Sequence, residues 1–341
     1  MRIALVTETF FPAVDGTTTT VKAVADRLID LGHELRIIAP GPGLPLYNRS
    51  KVARISPLAK PGAQVRDALA DFDPDLVHVT NPGRIGRKAL KHADRMDLRT
   101  IVVQQSAVEA DDRWRSTVAD RAAAVVVTCE WMQGELGRAG VSTDLWRPGV
   151  DSRAFTPALR DPWLHGKWSR GERPVVGYVG GLARKHDVRD LASLSKLGIS
   201  TVVIGAGPQR QWLRDRLPDT RFTGALATGD LTVALASLDV LVHPGRRETC
   251  CHTLREAAAS GVPVVAPRSG GAPEVVRNLE SGLLYDADAP HAFAEATANL
   301  AADPSRKLLG EQGRELVAAR DWVTAVDELI ERHYLGQHAS R

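Results

Sequence analysis

The sequence predicts an α/β protein built from two doubly wound parallel-sheet domains, and three observations carry that prediction. Its 341 residues are too many for one ordinary hydrophobic core and suit two domains of common size. Short β-branched runs alternate with longer amphipathic stretches, first through the N-terminal half and then again through the C-terminal half. Several of the runs are apolar without alternation, as expected of strands covered on both faces.

In order, Arg2–Thr7, 34–39, 52–56, Leu76–Thr80, 101–104 and 125–128 read as the strands of the first sheet. After the first of them, Asp15-Gly16-Thr17-Thr18 opens a helix. The stretch from Phe155 to Pro174 breaks the rhythm with Pro157, Pro162, Gly166, Gly171 and Pro174, which is linker composition. We therefore expect a first domain over 1–155, a linker over 156–173 and a second domain over 174–317. Strands of the second domain fall at Val175–Val179, 201–204, 240–243 and 262–266, with helical patterns over 227–237 and 253–260. Over 318–341, Val323, Val326, Leu329 and Ile330 recur at helical spacing, which predicts a terminal helix packing back on the first domain.

Bulk properties exclude several classes. With 43% hydrophobic and 25% charged residues the chain reads as globular rather than disordered. Forty-four Lys and Arg against 41 Asp and Glu leave a formal charge of +3, too small for a nucleic-acid-binding field. No secretory signal pattern opens the sequence and no apolar run approaches membrane-spanning length. The three cysteines, Cys129, Cys250 and Cys251, are odd in number and two are adjacent, which suits a reducing cytoplasm better than a disulfide framework.

Ligands of open α/β sheets sit beyond the carboxyl ends of the strands, so the loops there are the candidates. Gly16, at a helix start, offers free amides to a phosphate or sugar oxygen, or simply marks a capped turn. Gly180-Gly181-Leu182-Ala183-Arg184-Lys185-His186 joins flexible backbone to three basic side chains, the chemistry of a diphosphate cradle or of a solvated basic loop. Gly205-Ala206-Gly207-Pro208 is a third glycine loop, readable also as a structural turn.

The most informative segment is His243-Pro244-Gly245-Arg246-Arg247-Glu248-Thr249-Cys250-Cys251-His252-Thr253-Leu254-Arg255-Glu256, where two glutamates separated by seven residues bracket a helix start. Carboxylates accept hydrogen bonds from vicinal sugar hydroxyls, and the amides from Cys250 to Leu254 form the positive end of the helix between them. That combination fits a nucleotide sugar.

With these residues in view the chain resembles the retaining glycosyltransferases of family 4, and especially their actinobacterial GDP-mannose-dependent α-mannosyltransferase branch. The carriers are TETFFPAVDGTTTTV, GVDSRAF, VIGAGPQRQWL, RFTGAL, LDVLVHPGRRETC, LREAAASGVPVVAP, SGGAPEVV and SGLLYD, in that order along nearly the whole chain. The resemblance implies a GT-B fold, two Rossmann-like domains facing a cleft that takes a GDP- or UDP-sugar donor. It implies transfer to a hydroxyl of a glycolipid, a saccharide or an aminosugar-containing natural product, with retention and without a metal or other cofactor. The leaving diphosphate would help to take the acceptor proton. The competing reading is a non-catalytic nucleotide-sugar-binding descendant.

The resemblance further implies roles. Glu248 would hold hydroxyls of the transferred sugar, with Gln105 beside it, as the catalytic groups, and Glu256 would hold the ribose. Gly16, Gly181, Gly205, Arg247 and the amides from Cys250 to Leu254 would surround the donor, and the 222–226 turn, with Leu226, would flank the base. Against the family pattern, Gly181 stands where an arginine is usual and His186 where a lysine is usual, leaving Arg184 and Lys185 to compensate. Losing two such charges outright would remove about 3 to 6 kcal/mol of charge-assisted binding.

Two charge sets remain. Glu8, Asp15, Glu109, Asp111 and Asp112, with Ser106, read as an acceptor side suited to a cationic acceptor, or as plain loop charge. Arg84, Arg87, Lys88, Lys91 and Arg95 fall on one side of a helix that could contact anionic lipid peripherally on the inner membrane face, or could merely be solvated. Asp286-Ala287-Asp288 has the spacing of a metal-binding aspartate pair but lies in a turn at a strand end.

Overall fold

A computed structural model describes residues 1–13, 15–56 and 58–336. It divides into two compact units, one formed by Met1–Pro148 together with the chain from Trp322 onward, the other by Gly149–Asp321.

In the first unit β1 (Arg2–Thr7), α1 (Gly16–Asp30), β2 (Glu34–Pro40), β3 (Leu46–Tyr47), β4 (Ser50–Ile55), α2 (Pro61–Phe72), β5 (Leu76–Thr80) and α3 (Arg84–Arg95) are followed by β6 (Thr100–Gln104), α4 (Asp112–Thr117), β7 (Ala124–Val127), α5 (Glu130–Arg138) and β8 (Asp144–Leu145). The sheet order is β3-β4-β2-β1-β5-β6-β7-β8, parallel except for the β3–β4 hairpin. Every residue of β5, β6 and β7 is buried, because helices cover both faces. Two cores result, one around Val6, Val79, Leu90 and Val102, the other around Leu5, Val24, Ile37 and Val103.

The second unit contains α6 (Pro162–Ser169), β9 (Val175–Val179), β10 (Ser200–Ile204), α7 (Arg210–Arg216), β11 (Arg221–Gly224), α8 (Thr228–Ala236), β12 (Val240–Val242), α9 (His252–Ala259), β13 (Val264–Pro267), β14 (Gly282–Tyr285), α10 (Ala292–Ala302) and α11 (Arg306–Ala318). Its sheet runs β11-β10-β9-β12-β13-β14, with every pairing parallel.

Three expectations about boundaries are corrected. The unit boundary lies at Pro148/Gly149, not after 155, because Arg314 on α11 donates to the carbonyls of Ser152, Phe155 and Ala259 and draws that segment into the second unit. The stretch 156–173 is not a linker. Asp161 caps α6 by accepting from Trp163 and Leu164 amides, Pro162 occupies the first helical turn where its missing N–H costs nothing, and Trp168 is buried. Finally, 318–334 is not one helix: α11 ends at Ala318, and a separate α12 (Trp322–Leu329) continues into a π turn, Ile330–Tyr334.

This last helix packs on α1 in the first unit. Arg27 and Asp327 form a two-bond ion pair at 2.7 Å, the Trp146 indole donates to the Ala325 carbonyl at 2.6 Å, and Arg99 donates to the His333, Tyr334 and Gly336 carbonyls. Residues 337–341 of the expected terminal segment lie outside the described residues.

Candidate active site

Strand order reverses between β9 and β12 in the second sheet, and such a reversal opens a crevice beyond the strand ends. The loop after β9 is seated first. Gly180 N donates to Ile204 O at 3.0 Å and Leu182 N to Ala206 O at 2.9 Å. The two glycine loops lie so close that a Cβ on Gly205, at φ +146°, would stand 1.9 Å from Gly180 O. Gly205, expected at the donor, is therefore required by loop-on-loop packing. Below the loop, Tyr178 donates its hydroxyl to Gly181 O at 3.1 Å. Burial, followed by the charges of Glu248 and Asp187, pushes that phenol well above its ordinary range, so it stays a donor.

The loop after β12 is held at Gly245, Arg246 and Glu248. Gly245 N donates to His243 Nδ1 at 3.2 Å, Arg246 N donates to Asp187 Oδ2 at 2.9 Å, and Gly271 N donates to Glu248 O at 2.7 Å. Because Nδ1 of His243 accepts, its neutral ring carries the proton on Nε2, which lies 4.0 Å from Glu248 Oε1. Burial pulls His243 below its ordinary value and favours that neutral form.

Glu248 Oε1 accepts a 2.6 Å hydrogen bond from His186 Nδ1. Burial alone would raise the Glu248 carboxyl, but the His186 hydrogen bond and the neighbouring imidazoles of His243, His186 and His252 outweigh it and bring it down to about 2. It is a fixed anion at neutral pH. His186, expected at the phosphates, thus faces the Glu248 carboxylate, and a Cβ on Gly181 would lie 3.6 Å from its Nε2. Arg184 and Lys185, in the same 3₁₀ turn, are exposed.

Between the glutamates α9 begins at His252, with Cys251 in its N-cap position at φ 52°. Cys250 and Cys251 are buried, and all three cysteines carry free thiols. Leu254 sits in the core, so of this residue only the backbone faces the loop; His252 and Thr253 are partly buried, and Arg247 is exposed. Glu256, one turn further on, is partly buried, and among the described residues its carboxylate takes no hydrogen bond and no ion pair. Burial alone pushes it up to about 7. The two glutamates therefore differ in kind: one is a held anion, the other a half-protonated group without a partner.

Other expectations in this unit are redirected. Residues 221–224 form the edge strand β11 rather than a free turn, and Leu226 packs against the core. Asp286 accepts from Asp288 N at 3.0 Å and Asp288 pairs with Arg246 at 3.3 Å. Among the described residues no group of three or more His, Cys, Asp or Glu is arranged to hold a metal ion.

In the first unit the acidic side chains are already engaged. Glu8 Oε1 accepts from Gly83 N at 3.0 Å and Gly86 N at 2.7 Å, capping α3. Asp15 caps α1 in a reciprocal arrangement with Thr18, which makes Gly16 the first helical residue, and Asp111 caps α4 through Trp114 N at 2.7 Å. Three members of the expected acceptor set are thereby helix caps, while Glu109 and Asp112 are exposed. Gln105 and Ser106 are placed by Asn81, whose Oδ1 accepts both of their amides at 2.7 and 2.9 Å and whose Nδ2 reaches Thr17 at 2.9 Å. On α3, Arg84, Lys88 and Arg95 are exposed and Arg87 and Lys91 half-buried. His92 beside them is pulled down by burial, then by Arg95, Lys91, Arg66 and Lys88.

Sequence reasoning missed Asn81, Tyr178, Asp187, His243 and Arg255. Asn81 sits at φ 47° directly after β5, and Asn is the ordinary residue type for such a position, so its place in the sequence held a signal. Arg255, whose Nε donates to Cys250 O at 3.2 Å, is buried inside a helix whose pattern reads as solvated at that position.

The family model described as "Glycosyltransferase Family 4" matches residues 14–153, and that described as "Glycosyl transferases group 1" matches 173–303. The GDP-mannose-dependent alpha-mannosyltransferase of Mycolicibacterium smegmatis is 35% identical over the full length of both chains. The enzyme of the same name from Corynebacterium glutamicum is 33% identical over 84% of this chain and 77% of its own. Among solved structures, sucrose-phosphate synthase from Thermosynechococcus elongatus superposes with a TM-score of 0.83 at 20% identity, over 98% of each chain. Anabaena HepE in complex with UDP-glucose superposes with a TM-score of 0.79 at 17% identity, over 98% of this chain and 100% of its own. These structures establish the shared GT-B fold.

Proposed function

Because the chain belongs to the family 4 glycosyltransferases, we propose that it transfers mannose from GDP-mannose to a hydroxyl acceptor, with retention at the anomeric carbon and without a metal. The observation that carries this reading is the pair of unlike glutamates around the start of α9. A carboxylate without a partner suits the cis hydroxyls of a ribose, which supply the two donors it lacks. A carboxylate held ionised and oriented suits sugar hydroxyls whose hydrogen bonds strengthen as positive charge develops at the anomeric carbon. Between them the α9 amides, with Arg184 and Lys185, take the diphosphate and stabilise it as leaving group. These cations do the neutralising that a metal would otherwise supply. No protein nucleophile is invoked; the diphosphate oxygen accepts the acceptor's proton, and the protein contributes positioning and electrostatics.

The α3 face supports a peripheral contact with anionic lipid, since Arg84, Arg87, Lys88, Lys91 and Arg95 lie along one helix. Among the described residues no helix is long and apolar enough to cross a membrane. Flotation with phosphatidylglycerol vesicles, lost in Arg84→Glu/Lys88→Glu, is the expected behaviour, and binding unchanged in that variant removes the contact.

The functional test is turnover of radiolabelled GDP-mannose, UDP-glucose and ADP-glucose with a panel of glycolipid, saccharide and aminosugar acceptors, with and without EDTA. Mannosyl product with an α-anomeric proton, unaffected by EDTA, is the expected result. Binding without product or hydrolysis for every pair would establish the non-catalytic reading, and dependence on added metal would overturn the metal-free one.

A further inference from the structure

We infer that His186 is the positioning residue of the sugar-side carboxylate, holding Glu248 by Oε1 so that Oε2 is presented to the donor sugar, and that it does not serve as a phosphate ligand. The inference deepens the proposed donor function and rests on it.

Four observations converge. The 2.6 Å hydrogen bond uses Nδ1, the nitrogen nearer the backbone, which turns the ring toward Glu248. His243 Nε2 approaches the same oxygen, at 4.0 Å, so both imidazoles act on Oε1, while Oε2 takes no hydrogen bond among the described residues. The loops that carry the pair are cross-linked beside it, since Asp187, next to His186, accepts from the amide of Arg246, two residues from Glu248. The ring also lies directly against Gly181. A Cβ there would meet the imidazole at 3.6 and 3.7 Å, ordinary contact.

The two departures from the family pattern, Gly181 and His186, are therefore neighbours in space as well as in the loop. The strongly depressed Glu248 carboxyl agrees with a short bond to a well-placed donor.

Calorimetry with GDP and GDP-mannose on His186→Ala, His186→Asn and His186→Gln tests this. The expected result is that His186→Ala changes the GDP Kd less than threefold and weakens GDP-mannose at least tenfold. His186→Asn, whose amide nitrogen replaces Nδ1, recovers most of that loss, and His186→Gln, whose amide replaces Nε2, does not. Equal weakening of GDP and GDP-mannose, or recovery by Gln and not Asn, overturns the inference and places the ring at the phosphates.

A second arm needs no donor. In apoprotein labelled at glutamate carboxyl carbons, with Glu248→Gln giving the assignment, the Glu248 signal should stay at its ionised position from pH 7 to 4, and should move toward the protonated one in His186→Ala. An unmoved signal in the variant overturns the pairing. A shifted signal in a protein that ignores every nucleotide sugar sustains the pairing and sinks the donor reading instead.

Discussion

The two sheets solve the same topological problem in opposite ways. Each reverses strand order once, between β1 and β5 in the first unit and between β9 and β12 in the second, and each brings a glutamate to the crevice beyond the reversal. In the first unit Glu8, after β1, is engaged by backbone: its Oε1 accepts two amides at the start of α3 and caps that helix. In the second unit Glu248, after β12, is held through Oε1 by a side chain, the His186 imidazole, and among the described residues the Glu256 carboxylate takes no hydrogen bond. The residue type is the same in both places, and each glutamate follows a strand at the reversal. What separates structural from functional carboxylates is where their hydrogen bonds go, which is an accounting that the folded chain supplies.

That contrast breaks most visibly at Glu248. Glu248→Gln should keep the fold and lower kcat/KM about 100-fold, the value of one hydrogen bond to a charged group, with unfolding midpoint unchanged within error. Turnover near wild type would mean that Glu248 is no more functional than Glu8. The mirror experiment is Glu8→Ala, which strands the Gly83 and Gly86 amides and should cost about 2 kcal/mol in urea unfolding while leaving nucleotide affinity alone.

Glu256 sharpens the contrast through pH. Its folded value of about 7 lies above the ordinary 4.5, so its ionisation opposes folding: stability from this group is intact below pH 4.5 and is lost as pH rises toward 7. Glu256→Gln should therefore stabilise the apoprotein by about 1 to 2 kcal/mol at pH 8 and by nothing at pH 4.5, and should weaken GDP about tenfold. Equal unfolding midpoints of variant and wild type at pH 8 would show that the carboxyl has a partner. The smallest effect is expected at Asp15→Ala, about 1 kcal/mol for a lost cap, read in the same unfolding series.

The sequence made the architecture legible because strands buried on both faces are apolar runs and little else imitates them. It misplaced the boundary because prolines and glycines between 156 and 173 have two uses. Pro162 starts a helix as readily as it breaks one, and only the buried Trp168 tells which. At the site, the spacing of Glu248 and Glu256 was readable, as was the chemistry of a helix start between them. Their difference was not, because it depends on burial without a partner at Glu256 and, at Glu248, on His186, which reaches it from a loop 62 residues away in the chain. Gly205 shows the same limit in reverse: a glycine in a ligand-binding position can be there for another backbone.

Hydrogen–deuterium exchange with and without saturating GDP tests the central claim most directly, that the nucleotide is held by the loops at the β9/β12 reversal. The account predicts new protection in peptides covering 180–187 and 248–256, lost from the second of these in Glu256→Ala. Protection confined to the loops after β1 and β5, with 248–256 exchanging as in the apoprotein, would contradict it.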